Sequence, residues 1–490
     1  MATASEQMTG GVAAEREHFF IGGEWVSPSS DKTFDLVNAS TGQVFGRVPE
    51  GVEADMDRAV AAAKAAFEGG WGQTSARERA ELMRKFAAAL EKRGGDLAST
   101  VSRQNGMPVA LAQQFEGGFP VAMLQFYAAI ADEMQEEEER KNAMGQRTLV
   151  RRTPVGVAAG IVPWNFPVVL SMTKICPALA AGCTLVLKPS PGTSLDWYIV
   201  AEAAQEAGIP AGVINWVPGD REAGAYLVSH PDIDKVAFTG STAAGRKVAQ
   251  ACGERLRPCT LELGGKSAGI ILDDATLDEE MAQGIAFASL LNNGQACLAS
   301  TRILAPKSRY DDVVEFMAGV ASSLKVGDSM DSSTQVGPMA SREHRERVLG
   351  FIEQGKKEGA RCVTGGGSAK DLDGWFVEPT IFADLDNNAN IAREEIFGPV
   401  LCVIPYEDEA EAIAMANDSP YGLGGTVWSA DHERALNVAR QVQTGSIGVN
   451  GYSLHLGSPF GGVKASGLGR EFSGETLGHY QQLKSIYLMN

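Results

Sequence analysis

The stretch VGVAAGIVPWNFPVVLSMTKICPALAAGCTLVLKPS, residues 155–190, decides the fold. Residues 157–162 and 184–187 are short runs that are apolar on both faces, and the segment between them has the length of a helical crossover. A strand apolar on both faces must be covered on both, the condition of a strand inside a parallel sheet. Similar runs recur at 213–217, 236–238 and 269–272, so a doubly covered parallel sheet is expected. Ligands of such sheets lie beyond the carboxyl ends of the strands. Those ends read Pro163-Trp164-Asn165-Phe166-Pro167, Lys188-Pro189-Ser190-Pro191, Pro218-Gly219 and Thr239-Gly240-Ser241, all polar and turn-rich, which is where a site is expected.

A second series of apolar runs resumes after about residue 300, at 302–305, 400–405 and 425–428, and implies a second α/β domain. Before the first series, 54–67 and 76–93 carry helical periodicity. The latter presents Leu82, Phe86 and Leu90 on one face, with Gly94 as its C-terminal stop. Residues 147–153 and 483–489 read as strands whose edges could pair across subunits.

Composition narrows the partners. A chain of 490 residues with a formal charge of −18 lacks the cationic surface that phosphate backbones require, so nucleic acid is excluded. The acidic run 136–139 reads as a solvated helix face or an exposed connection. Seven cysteines stand singly, with no C-x-x-C, which points to a reducing compartment and to thiols that are core filler or a lone reagent. Residues 1–17 hold no apolar signal core, and no run of about 18 apolar residues occurs. A cytoplasmic protein without a membrane partner is expected.

Three motifs bear on chemistry. Gly240-Ser241-Thr242-Ala243-Ala244-Gly245 follows a strand and opens a helix, so its free amides could meet a pyrophosphate. Its spacing fits neither the dinucleotide fingerprint nor a Walker A loop, and in isolation it reads as a turn with Ser241 as N-cap. Gly265-Lys266-Ser267-Ala268-Gly269 matches the nucleophile elbow of serine hydrolases, the rival reading. The elbow must run from strand into helix, whereas Ser267 leads into an apolar strand. Asn293-Gly294-Gln295-Ala296-Cys297 follows the helical stretch 279–291 and sets a thiol among small and polar residues, unlike a packed core. A free thiol is only a few per cent thiolate at neutral pH, so a nucleophilic role needs an activating environment.

Taken together and in this order, Pro163–Pro167, Lys188-Pro189-Ser190, Phe238-Thr239-Gly240-Ser241, Leu261-Glu262-Leu263-Gly264-Gly265-Lys266, Gly294-Gln295-Ala296-Cys297, Glu394-Glu395-Ile396-Phe397-Gly398-Pro399 and Pro459-Phe460-Gly461-Gly462 resemble the aldehyde dehydrogenase superfamily. The resemblance runs from Phe20-Ile21-Gly22-Gly23 onward. It implies an α/β fold of three parts: a Rossmann-like cofactor domain (1–137 and 154–263), a catalytic α/β domain (264–453) and a small β oligomerisation arm (138–153 and 470–490). The activity it implies is oxidation of an aldehyde to its acid with NAD(P), through a thiohemiacetal and a thioester on Cys297. Glu262 is then the general base and Asn165 an oxyanion donor, with Lys174 and Glu471 linked to proton traffic. Their plain alternatives are a surface or structural lysine and a salt-bridged carboxylate.

The same resemblance implies cofactor contacts from Ile161, Pro163, Trp164, Lys188, Ser190, Gly219, Phe238, Gly240, Ser241, Leu263, Glu395 and Phe397. It implies no metal, a small-molecule aldehyde as substrate, and a homodimer or homotetramer. Two positions depart from the pattern. Many NAD-preferring members carry a glutamate three residues after the lysine, where this chain has Pro191, so NAD is expected with NADP possible. Thr173 stands where some relatives have a bulky aromatic, which implies a roomier aldehyde pocket.

Overall fold

The computed structural model describes residues 15–489; most of the polar 1–17 segment therefore lies outside the described residues. Two large sheets, a three-stranded sheet and the two-stranded hairpin Thr33–Asn38 with Gln43–Pro49 organise the described residues. In spatial order the first sheet runs Gly467–Leu468, Cys259–Glu262, Lys235–Thr239, Val157–Ile161, Thr184–Lys188, Ile214–Trp216, Phe19–Ile21 and Glu24–Val26. Its five inner strands are parallel, and the outer pairings are antiparallel. Sequence order among the parallel strands reverses between Val157–Ile161 and Lys235–Thr239, and that reversal opens the crevice where a ligand fits.

The second sheet runs Arg361–Thr364, Thr380–Ala383, Val400–Tyr406, Arg302–Pro306, Ala268–Ile271, Gly425–Trp428 and Gly448–Val449. The apolar run 269–272, met in the sequence as the last of the first series, therefore belongs here, beside Arg302–Pro306 and Gly425–Trp428. Its burial on both faces is the same in either sheet, so pattern alone does not separate them. Cys259–Glu262 is one of the strands that the pattern misses, as are Thr33–Asn38, Gln43–Pro49, Arg361–Thr364 and Thr380–Ala383. Cys259–Glu262 carries Thr260 and Glu262 in the interior, where the Lys235 ammonium donates to Thr260 at 2.8 Å.

Helices Glu53–Glu68 and Ala76–Glu91 form where helical periodicity places them, and a Ser75–Glu78 capping box starts the second. Gly94 is not a stop; it opens the next helix, Gly94–Asn105. The reason is close approach, since a Cβ on Gly94 would stand 3.1 Å from the Gly117 carbonyl oxygen. The acidic run is neither helix face nor connection. Glu137–Lys141 is an edge strand, and Glu139 and Glu138 pair with Arg147 and Arg152 across the ladder.

That strand completes a third, antiparallel sheet with Arg147–Pro154 and Gln481–Leu488. Leu483 and Tyr487 stand exposed on it. The tail expected as arm from 470 divides: Gln481–Leu488 joins the small sheet, whereas Glu471 turns inward and bridges Phe460. Among the described residues, no helix is long and apolar enough to cross a membrane.

Candidate active site

The chain leaves Val157–Ile161 through Val162-Pro163-Trp164-Asn165 and enters the helix Pro167–Ala181. Asn165 is buried, and its side-chain amide donates to the Gln295 carbonyl at 3.0 Å. Its backbone carbonyl accepts from Asn292 and Asn105, at 2.9 and 3.2 Å. The amide is thus aimed at the loop that carries the thiol.

That loop is strained. Asn292, Asn293 and Gly294 take φ values of +50°, +62° and +75° in succession. Left-handed backbone costs a residue with a side chain of order 1–3 kcal/mol, least for asparagine. Three bonds of Asn293 hold the turn: its amide donates to the Gly106 and Pro338 carbonyls, and its oxygen accepts from the Gly337 N–H at 2.6 Å. Gln295 adds a fourth, from the Ala340 N–H. Gly294 must be glycine twice over, because a Cβ would also lie 2.3 Å from the Gly398 carbonyl oxygen.

Cys297 follows, partly buried. Burial first, and then the Glu395 and Glu262 carboxylates, push its thiol up to about 12. A nucleophilic role for this thiol would therefore need a base to take its proton. Glu262, at the end of Cys259–Glu262, is buried, and neither carboxylate oxygen has a hydrogen-bond partner. Burial, and then the neighbouring Glu471 carboxylate, hold it well above the usual range, against the pull of Lys174 and Arg470. A carboxylate left unpaired costs stability unless it has other work. The Gly264-Gly265 pair lets this machinery close up: a Cβ on Gly265 would meet the Cys297 carbonyl oxygen at 2.4 Å.

Lys174 and Glu471 are far from surface residues. Both are buried, their charged groups are 2.6 Å apart, and the ammonium also donates to Thr173 and Thr239. Thr173 is therefore engaged on the lysine, which explains a small hydroxyl at that place.

At the topological switch lies a cavity of about 560 Å³. Ile161, Pro163, Trp164, Lys188, Ser190, Phe238, Gly240 and Ser241 line it, so eight of the twelve expected cofactor residues converge there. Ser241 caps the helix Thr242–Glu254 by accepting from the Ala244 N–H, which sets that helix's positive end at the cavity. Lys188 is buried and donates to the Gly219 and Pro189 carbonyls, at 2.6 and 3.0 Å. One ammonium hydrogen is left over. Burial brings the group down to about 8. Gly219 thus acts through Lys188, and Leu263 lies under the same helix, where a Cβ on Gly245 would strike it.

Glu395 and Phe397 stand on the far side, outside the cavity wall. The Glu395 carboxylate accepts from the Gly265 N–H at 2.9 Å, and the Phe397 ring lies edge-on to Trp164 at 5.5 Å. Phe397 has φ +63°. Two residues unforeseen in the sequence hold that bend: His344 bonds the Phe397 carbonyl at 2.7 Å, and Arg347 donates to the Glu395 and Ile396 carbonyls. Burial lowers His344 to about 4, so it is neutral at pH 7 and donates. The Asn292-Asn293-Gly294 triplet carried a legible left-handed signal; His344, Arg347 and Asn105 carried none.

Ser267 does not form an elbow. It runs into the strand Ala268–Ile271, is buried, and its hydroxyl accepts from the Gly424 N–H.

The profile of the aldehyde dehydrogenase family matches residues 25–486. A geranial dehydrogenase of Castellaniella defragrans is 56% identical, over 97% of this chain and 99% of its own length. Among solved structures, an aldehyde dehydrogenase of Mycobacterium tuberculosis complexed with NAD+ superposes with a TM-score of 0.95 at 44% identity, covering 97% of this chain and 99% of that one. A cysteine-to-alanine variant of aldehyde dehydrogenase C from Pseudomonas syringae, complexed with NAD+ and octanal, superposes at 0.92 with 38% identity and 96% of each chain covered.

Proposed function

The chain belongs to the aldehyde dehydrogenase family, and we propose that within it Cys297 is the nucleophile, Glu262 the general base and Asn165 a donor to the oxyanion. The observation that carries this division is the buried, unpartnered carboxylate of Glu262 beside a thiol that needs a base. The overall reaction is oxidation of an aldehyde to a carboxylic acid with NAD.

Glu262 takes the Cys297 proton and releases it to solvent before the second half-reaction, and the sulfur adds to the aldehyde carbon. The carbonyl oxygen becomes an oxyanion, which one N–H of Asn165 stabilises by roughly 3 kcal/mol in a water-poor site. Bound NAD supplies the acceptor for the hydride that leaves this adduct. The thioester that remains is opened by water, and Glu262 accepts the proton of that water. Burial raises the pKa of Glu262 most, and the Lys174–Glu471 pair adjusts it further, the carboxylate raising it and the ammonium lowering it.

The cavity at the switch point suits NAD. Amides of the first turn of Thr242–Glu254 would hold a pyrophosphate, the spare hydrogen of Lys188 would be free for a ribose hydroxyl, and Glu395 with Phe397 would serve the nicotinamide end. The first sheet, with residues 1–137 and 154–263, then holds the cofactor, and 264–453 supplies the thiol.

For substrate we propose apolar aldehydes of terpenoid or medium-chain size. Support comes from the relative named for geranial and from a run of rings near Asn165, where Phe166 and Phe287 pack on Phe115 and Phe119 packs on Phe472. The exposed edge of Gln481–Leu488 supports a homodimer or homotetramer. Seven free cysteines fit the cytoplasm.

A screen of terpenoid, aliphatic and aromatic aldehydes with NAD and NADP, read as absorbance of the reduced cofactor, tests the reading. Apolar aldehydes are expected to give the highest kcat/KM. No turnover of any of them would overturn it.

A further inference from the structure

The helix that follows Asn165 has a cap problem. Its first residue, Pro167, has no N–H, and its N-cap, Phe166, has no side chain able to accept. The next two amides, of Val168 and Val169, are the orphan donors of the helix start. Both are taken by one oxygen of Glu116, at 2.7 and 3.3 Å. Glu116 reaches them from a separate element, the π-helical turn Gln113–Gly118, across 52 residues of sequence. It is fully buried, and its second carboxylate oxygen has no partner. Turns of this kind are rare and recur at functional sites.

We propose that Glu116 is a positioning residue of the reaction: by capping the Pro167–Ala181 helix from outside, it fixes the angle at which Asn165 presents its amide to the thiol loop. The proposal rests on the assignment of Asn165 as an oxyanion donor. Three features of the structure support it. Only two residues separate Asn165 from the first capped amide, so a tilt of the helix start moves the Asn165 backbone with it. Of the ties of Asn165, those from Asn292 and to Gln295 belong to the thiol loop and that from Asn105 to the helix Gly94–Asn105, while Glu116 holds the start of the helix that follows Asn165. The same helix carries Lys174, one residue past Thr173 and 2.6 Å from Glu471, so its start and its middle are both anchored to the site. Burial pushes the Glu116 carboxyl up to about 8 against the pull of the Val168 N–H, and its oxygen caps these amides as an acceptor in either protonation state.

The test uses the full-length enzyme and two probes. Hydrolysis of p-nitrophenyl acetate reports acylation of the thiol without cofactor, and the burst of NADH with octanal reports the complete first half-reaction. Glu116→Ala is expected to slow acylation at least tenfold and to leave the Kd for NAD within twofold. In an Asn165→Ala background the same substitution is expected to cost less than a further twofold, because the group it orients is gone. Glu116→Gln keeps an acceptor oxygen of the same reach and is expected to restore acylation to within threefold of the parent, whatever its melting temperature. Should the alanine variant fail to fold, Glu116→Asp, shorter by one methylene, carries the same comparison. Parental acylation by the Glu116 variant while Asn165→Ala is slow would overturn the proposal, as would full additivity in the double variant. Parental acylation by Asn165→Ala itself would overturn the oxyanion assignment, and the proposal with it.

Discussion

The carboxyl edge of the first sheet and the loop around Cys297 lie side by side but are built on opposite terms. At the sheet edge, regular elements simply end: strands stop at Ile161, Lys188 and Thr239, a helix begins at Thr242, and Ser241 and Lys188 find ordinary partners. Around the thiol, backbone is held left-handed over three residues, a carboxylate is buried without a partner, and the thiol is pushed up to about 12. A binding surface can be made from the unused ends of stable elements. A reacting centre must keep groups in states that water would relax, and the surrounding protein has to hold them there.

Changes at the thiol loop should therefore act on chemistry, and changes at the sheet edge on affinity. Cys297→Ala is expected to abolish aldehyde oxidation, by at least about a thousandfold, while fluorescence titration still shows parental NAD affinity. Measurable turnover in that variant, or lost NAD affinity, would break the contrast. The other six cysteines should each be dispensable for turnover.

Glu262→Gln comes next. Steady-state turnover should fall by about 10²–10⁴, the range of general-base catalysis, while the burst of NADH, itself slowed because the thiol loses its base, should keep its stoichiometric amplitude and stay faster than turnover in stopped flow. An equal fall in burst rate and turnover would place the main work of Glu262 at the thiol instead. The pH profile follows in sign. The folded protein raises the pKa of Glu262, so the active carboxylate is lost as pH falls through that raised value, at higher pH than for an exposed glutamate. The acid limb of kcat/KM should sit correspondingly high in the parent and vanish in Glu262→Gln.

Asn293→Ala removes three hydrogen bonds from a left-handed turn, and a loss of about 2–4 kcal/mol in unfolding free energy is expected from denaturant titration. Asn293→Gly, which keeps the conformation at no strain, should lose less. Equal losses would show that the bonds alone matter. The smallest effect lies on the cofactor side. Pro191→Glu should raise the kcat/KM ratio of NAD over NADP by about tenfold, near the low end of a charge-assisted hydrogen bond, because a carboxylate there would repel a 2′-phosphate. No rise would sharpen attention on Asp220, which lines the same cavity.

Part of this site is legible in the sequence itself. Pro163–Asn165, Lys188, Gly240–Ser241, Glu262 and Cys297 lie at the ends of strands or in a loop of small residues, and each local pattern survives folding. Gly94 misled because a glycine at the end of a helical pattern reads as a stop, while its actual task is contact with Gly117, a backbone 23 residues away. The run 136–139 misled because strand pairing with Arg147–Pro154 overrode its local polarity. Glu116, His344 and Arg347 carried no signal, since each acts by touching the backbone of a distant segment.

The amino-acid sequence by itself determined the alternation of buried strands and helices and the place of the loops, while the side chains proposed to react were named by its resemblance to the family. The first two depend on periodicity and on residue chemistry, which are properties of neighbours in the chain. The tertiary structure alone decided which sheet the Ala268–Ile271 strand joins, which carboxylates stay unpaired, and how far the thiol and Glu262 are shifted. The physical reason is that ionisation and capping follow desolvation and partners in space. The partner of Lys174 is Glu471, 297 residues along the chain and 2.6 Å away.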